Sequence, residues 1–231
     1  MKTEQGKWLE RIKEDWPSPN GAGGAESPVE TGRDLALESE KKQLRQRLLT
    51  RARSLDFKGR EASDKIILAR LAGWAAYREA AGVFLYVGLD WEIHTRPLIT
   101  RALAEGKRVA LPLCRENGRM EARWITSLGQ LKPKRGKLKL LEPGEDCPLA
   151  NPAELELLVA PCLSCDRQGL RLGRGGGYYD RYLAQARQAG TAVPTVALCR
   201  EMLVMPSLPG GVHDQRVDFV ITEKGISRCR Q

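Results

Sequence analysis

The chain has 231 residues, 42% of them hydrophobic, and a formal net charge of +9 from 38 basic and 29 acidic side chains. That length fits one large domain with an appendage, not two enzymatic domains. No apolar run approaches the roughly 18–20 residues of a membrane span, and the basic excess favours anionic partners such as nucleotides, nucleic acid or acidic small molecules.

The start, "MKTEQGKWLERIKEDW", lacks an apolar centre and does not read as a secretory signal, so a cytoplasmic protein is expected. "KWLERIKEDW" brings Trp8, Ile12 and Trp16 near one helical face, and "PSPNGAGGAESPVETG" reads as a flexible linker. Residues 1–34 are therefore expected to form a flexible N-terminal extension, and residues 35–231 the domain proper.

From Leu35 the pattern is helical, with Leu37, Leu44, Leu48 and Leu55 at near-helical intervals and Lys41 and Arg45 four residues apart on one face. A second helix is predicted through Ile66, Ile67, Leu71 and Trp74. Then strands and helices alternate. "GVFLYV" (82–87), "RVALP" (108–112), "LELLVAP" (155–161), "VPTVAL" (193–198) and "VDFVIT" (217–222) read as buried strands, and "RMEARWI" (119–125) as a half-exposed one. Residues 95–105 suit a helix with Pro97 in its first turn and Gly106 after it. Residues 178–190 suit another, stopped by Gly190. Continuous apolar strands joined by helices predict an α/β fold with a mostly parallel sheet and helices on both faces.

Six cysteines are scattered, and Cys162 and Cys165 form one CxxC. Zinc or redox use needs a second ligand pair or a thioredoxin-like setting, and the sequence offers neither, so the pair reads as two small residues at a strand end. Aromatics are only 6% and no RNA-recognition signature occurs, so nucleic acid is not expected.

"GLRLGRGGGYYDRYL" (169–183) is the densest segment. It follows a buried strand and leads into a helix, the end of an open α/β sheet where ligands bind. Free N–H groups at the helix start, glycines that permit close backbone approach, and the forks of Arg171 and Arg174 together suit an anion. It is neither a P-loop nor a dinucleotide fingerprint, because no G-x-x-x-x-G-K-[ST] exists and the residue three beyond Gly175 is Tyr178.

These residues resemble the signature of the 5-formyltetrahydrofolate cyclo-ligase family, also called 5,10-methenyltetrahydrofolate synthetases. "KKQLRQRL", "YVGLDWEIHTRPLI", "LLEPGEDCP" and "HDQRVDFVIT" are similar to further family segments in the same order, so the resemblance runs from about Glu40 to Glu223. It implies a three-layer sandwich of the NagB/RpiA/CoA-transferase-like fold. It also implies ATP-dependent conversion of 5-formyltetrahydrofolate to 5,10-methenyltetrahydrofolate, ADP and phosphate in one-carbon metabolism, with Mg²⁺, by a monomer acting on small molecules. The formyl oxygen would attack the γ-phosphate to give an iminophosphate, and ring closure by N10 would expel phosphate. The alternative is a catalytically inactive nucleotide- or RNA-binding relative of the same fold.

The resemblance implies ATP contacts from Lys41, Arg45, Arg171, Leu172, Gly173, Arg174, Gly175, Gly176, Gly177, Tyr178 and Tyr179. It implies folate contacts from Glu92 and from residues 174–178, that is Arg174, Gly175, Gly176, Gly177 and Tyr178. Arg174 and Tyr178 are the implied catalytic pair, and Asp180 and Asp214 the implied Mg²⁺ carboxylates. Some relatives carry lysine where this chain has Gly176, and Cys165 stands where an aromatic is usual. "LKPKRGKLK" (131–139) reads either as a solvated loop or as a segment that captures a polyglutamate tail through Lys134, Arg135 and Lys137.

Overall fold

The computed structural model describes residues 32–89, 91–115, 118–134, 140–188 and 193–229. The reading of Trp8, Ile12 and Trp16 lies outside these residues, as does almost all of the predicted extension.

Helix α1 (Gly32–Arg53) is followed by α2 (Phe57–Gly73) and the short α3 (Ala75–Glu79). Asp56 caps α2: its side chain accepts a hydrogen bond from the Gly59 amide at 2.7 Å. Strand β1 (Gly82–Phe84), helix α4 (Arg96–Ala104) and strand β2 (Arg108–Cys114) form one crossover unit. β3 (Met120–Ile125) returns antiparallel along β2, from Val109 opposite Ile125 to Cys114 opposite Met120. A two-stranded ribbon, β4 (Leu131–Pro133) and β5 (Leu141–Pro143), lies outside the main sheet. Then come β6 (Leu157–Ala160), the β7–β8 hairpin (Ser164–Cys165 and Arg171–Leu172) and helix α5 (Tyr178–Gln188). β9 (Thr195–Leu198), β10 (Phe219–Ile221) and β11 (Ile226–Arg228) complete the chain.

The main sheet has seven strands in the order β11-β10-β9-β6-β1-β2-β3. Its five inner strands run parallel and both edge strands antiparallel. The period-two alternation of strand side chains divides the core into two layers. Phe84, Leu158, Ala160, Ala197 and Val220 face Leu44 and Leu48 of α1 and Tyr182 and Leu183 of α5. Val83, Leu157, Val159, Val196 and Ile221 face Ile67 and Leu71 of α2 and Leu98 and Ile99 of α4. The predicted three-layer sandwich is therefore the observed one. No helix among the described residues is long and apolar enough to cross a membrane.

Two differences from the sequence reading bear on function. "GVFLYV" is assigned to the strand only as far as Phe84; the Leu85 amide still donates to the Ala110 carbonyl at 2.9 Å, and buried Tyr86 and half-buried Val87 open the next loop. The glycine segment does not follow β6 directly, because the β7–β8 hairpin intervenes and sets the direction from which the glycines approach α5.

Candidate active site

Two loops beyond the carboxyl ends of the parallel strands form the site. The first, residues 173–177, joins β8 to α5. Arg171 stands opposite Cys165 in the hairpin register, and its side chain is only 3% exposed. Its Nη1 donates to Asp180 Oδ1 at 3.0 Å and to the Gln215 carbonyl at 2.6 Å. The Gln215 amide also donates to Asp180 Oδ1, at 3.0 Å. Asp180 therefore lies in the first turn of α5, where a carboxylate is favoured by the helix dipole, and both of these contacts fall on one oxygen.

Helix α1 supplies two cations. Lys41 Nζ donates to Asp214 Oδ2 at 2.7 Å and lies 3.3 Å from Glu38. The Gly211 amide donates to the same Oδ2 at 2.6 Å. Arg45 Nε donates to the Gly173 carbonyl at 2.9 Å. At Gly175 φ is +94°, which favours glycine; a Cβ there would also lie 3.2 Å from the Arg45 guanidinium carbon, a close contact that a small shift of that side chain relieves. At Gly176 a Cβ would lie 2.9 Å from the Tyr178 ring. The Gly176 carbonyl accepts a hydrogen bond from Arg181 Nη2, and the Arg181 guanidinium sits 5.6 Å from the centre of the Tyr178 ring. The Tyr178 ring thus crowds the backbone at Gly176, and Arg181 brings positive charge to it.

The second loop, residues 85–95, joins β1 to α4 and carries Glu92. Glu92 is buried. Its Oε2 accepts from the Leu89 amide at 3.0 Å and its Oε1 from Arg174 Nε at 3.0 Å. Arg174 also stacks on Trp91, 4.5 Å from the ring centre. Arg174 is thus the meeting point of the two loops. Its Nη2 is buried with no hydrogen-bond partner, as are the Tyr86 and Tyr179 hydroxyls. Both phenols interact electrostatically with Glu92. Burial raises the Glu92 carboxyl above the ordinary carboxylate range, only partly offset by the charge of Arg174. Buried polar groups in native folds are normally satisfied, and these three remain unpartnered within electrostatic reach of one carboxylate.

A buried ion pair holds the Glu92 loop from behind. Arg200, 2% exposed and just past the end of β9, donates to Asp64 of α2. It also donates to the carbonyls of Trp91 at 2.5 Å and Glu92 at 3.4 Å. Asp64 accepts from the His94 amide at 3.0 Å. The pair therefore brackets Glu92 from both sides. Desolvation still raises the Asp64 carboxyl, since burial outweighs its contacts with the His94 amide and Arg200.

The fold brings together Lys41, Arg45, Arg171, Gly173 to Gly177, Asp180 and Asp214 around one helix start, and Glu92 with Arg174 beside it. Leu172 and Tyr179 enter differently. The Leu172 side chain is in the core, and Tyr179 stacks on Phe84 with centroids 6.2 Å apart. Trp91, Arg181, Asp64 and Arg200 belong to the arrangement and escaped the sequence reading. Trp91 and Arg181 are near neighbours of residues it singled out, but nothing local marks Asp64 and Arg200, which meet only in space. In the basic segment 131–139, Lys134 is engaged with Glu142 at 3.2 Å and with the Cys114 carbonyl at 2.6 Å. Arg135 and Lys137 lie outside the described residues.

Glycine-borne amides and cations beyond the carboxyl ends of parallel strands, with a buried carboxylate beside them, define an α/β enzyme site suited to an anionic substrate. The family model described as "5-formyltetrahydrofolate cyclo-ligase family" matches residues 37–223. The chain is 28% identical to 5-formyltetrahydrofolate cyclo-ligase of Mus musculus, covering 82% of this chain and 96% of that one. It is 34% identical to the enzyme of the same name from Mycolicibacterium smegmatis, over 82% and 97%. The solution structure of Aquifex aeolicus 5,10-methenyltetrahydrofolate synthetase superposes with a TM-score of 0.71 at 26% identity, covering 83% of this chain and 93% of that one. A Mycoplasma pneumoniae 5,10-methenyltetrahydrofolate synthetase shares the fold, with a TM-score of 0.62 at 18% identity over 80% and 99%. The chain belongs to the 5-formyltetrahydrofolate cyclo-ligase family and is a ligase.

Proposed function

We propose that the chain converts 5-formyltetrahydrofolate and ATP to 5,10-methenyltetrahydrofolate, ADP and phosphate, with the triphosphate on the 173–177 loop and the pterin against Glu92. The observation that carries this reading is Arg174. One of its nitrogens is spent on Glu92 and another is buried and unpaired, so it can hold the pterin-binding carboxylate in place while donating to an oxygen that reacts.

In this reaction the formyl oxygen attacks the γ-phosphorus and the bond to ADP breaks. N10 then closes on the formyl carbon, and phosphate leaves with the former formyl oxygen. Such chemistry needs positioning and charge neutralisation more than a side-chain nucleophile. Lys41, Arg45 and Arg171 neutralise the triphosphate, and the amides of Gly175, Gly176 and Gly177 donate to its oxygens. Leu172, Gly173 and Tyr179 frame that site from the hairpin and the helix. Glu92 accepts from pterin N–H groups, and Tyr178 flanks the transferred group beside Arg174. Asp180 and Asp214 offer hard carboxylate oxygens, the donor type Mg²⁺ takes alongside phosphate oxygens and water. Bound there, Mg²⁺ supplies neutralisation of phosphate charge. With Asp180 and Asp214 holding the ion, Lys41 and Arg171 beside them would add their positive charge to the same triphosphate. The six free cysteines support a reducing, cytoplasmic setting.

The test is to mix the protein with 5-formyltetrahydrofolate, ATP and Mg²⁺ and follow the near-ultraviolet absorbance of the methenyl product. An ATP-dependent rise is expected. No rise from folded protein, alongside an active control enzyme, would leave a binding relative without the activity.

A further inference from the structure

Cys162 lies just past β6, Cys165 is on β7 and Cys199 is just past β9. Separate in sequence, they meet in the fold. All three are buried, all are free thiols, and their sulfurs lie within 4.8 Å of one another. Among the described residues this is the only group of three or more potential metal ligands gathered so closely. The CxxC reading lacked a further ligand, and the fold supplies it from another strand.

Three sulfurs select soft, thiophilic ions over hard ones. A structural zinc site closes with four ligands, and among the described residues neither a histidine nor a carboxylate joins the three sulfurs. Three sulfurs are enough for a trigonal monovalent copper ion. With metal–sulfur bonds of about 2.3 Å, a planar site spaces its sulfurs by about 4.0 Å, so the longest edge must shorten by no more than about 0.8 Å. Binding also needs thiolate, so the thiols give up their protons as the metal enters. Arg171 lends positive charge to a site that would otherwise carry excess negative charge in a low-dielectric interior.

We propose that Cys162, Cys165 and Cys199 form a three-sulfur site for one Cu(I) ion beneath the hairpin that carries Arg171. Copper enters and remains monovalent, three Cu–S bonds form, and the remaining thiol protons pass to solvent, so no oxidant or reductant is required. The site is independent of the cyclo-ligase reading, and either can fail without the other.

The test is an anaerobic titration of the reduced full-length protein with Cu(I) buffered by bathocuproine disulfonate, joined to X-ray absorption at the copper edge. One Cu(I) per chain should be withheld from the chelator, with three sulfur neighbours. Loss of a supporting group alone costs about 10–100-fold in metal affinity, so removing a ligand in Cys199→Ala should weaken Cu(I) binding by about a hundredfold or more. Cys114→Ala, outside the cluster, should leave it unchanged. The sulfur count on the unmodified protein decides the question even where a variant fails to fold. Fewer than three sulfurs, wild-type protein that surrenders its copper as readily as Cys199→Ala, or tighter binding of Zn²⁺ than of Cu(I) would overturn the proposal.

Discussion

Gly175 and Glu92 lie on opposite sides of Arg174, and the chain builds their surroundings differently. Around Gly175 the loop is bare backbone, and its cations are already matched: Arg45 to the Gly173 carbonyl, Lys41 to Asp214, Arg171 to Asp180. Around Glu92 the loop is held by side chains from two distant elements, and polar atoms remain unsatisfied. The first side is an anion cradle whose charges can exchange one partner for another. The second is a buried carboxylate held by an ion pair, with unpartnered polar atoms near it.

Removing the residue that joins the two sides should cost most. Arg174→Ala is expected to lower kcat/KM by about a thousandfold, the upper range for losing one donor aimed at developing charge. Arg174→Lys should restore little, since a point charge cannot serve Glu92 and a reacting oxygen with one rigid fork. A lysine variant of near wild-type rate would separate the two sides.

On the cradle side, Asp214→Asn is expected to slow turnover by about a hundredfold and to raise the Mg²⁺ concentration for half-maximal rate, because Mg²⁺ draws on only one or two protein carboxylates. A Mg²⁺ titration checks this, and an unchanged midpoint would reduce Asp214 to a partner of Lys41.

On the Glu92 side, Arg200→Met leaves Asp64 buried without its charge partner. A stability loss of about 3–5 kcal/mol is expected in denaturant melts. Asp64→Asn keeps the shape but leaves Arg200 buried without its counter-charge, so a loss of similar size is expected. In the folded fraction of either variant, KM for the folate should rise while KM for ATP stays near wild type. Equal rises would show that the pair supports the whole fold and not this loop.

The smallest effect concerns pH. Glu92 titrates above its ordinary 4.5 because it is buried, so it keeps its proton to higher pH than an exposed glutamate. Activity that needs the carboxylate should therefore fall, on acidification, at a pH above that value. The same sign makes ionised Glu92 a cost to folding that grows as pH rises from its unfolded pKa through the raised one. Glu92→Gln should flatten the acid limb of kcat/KM for the folate and ease that cost.

The same contrast explains what could be read in advance. The cradle is written in contiguous residues, since glycines, arginines and an aspartate within a dozen positions have few other uses. The parallel sheet was legible because its buried strands are continuous apolar runs. The Glu92 side was less so. Glu92 stood out only through a resemblance, and Asp64, 136 positions from Arg200, carries no local mark of its partner. The β7–β8 hairpin was missed because two-residue strands are too short to show a period. Cys199 joined Cys162 and Cys165 through the pairing of β6 with β9, a tertiary fact.

The central claim is that ATP and the folate share Arg174. Calorimetric titration of wild type and Arg174→Ala with each ligand alone tests it most directly, using Mg²⁺ with a non-hydrolysable ATP analogue in one arm and 5-formyltetrahydrofolate in the other. Both affinities should fall in the variant. A variant that weakens for one ligand and keeps the other at wild-type affinity would contradict the account.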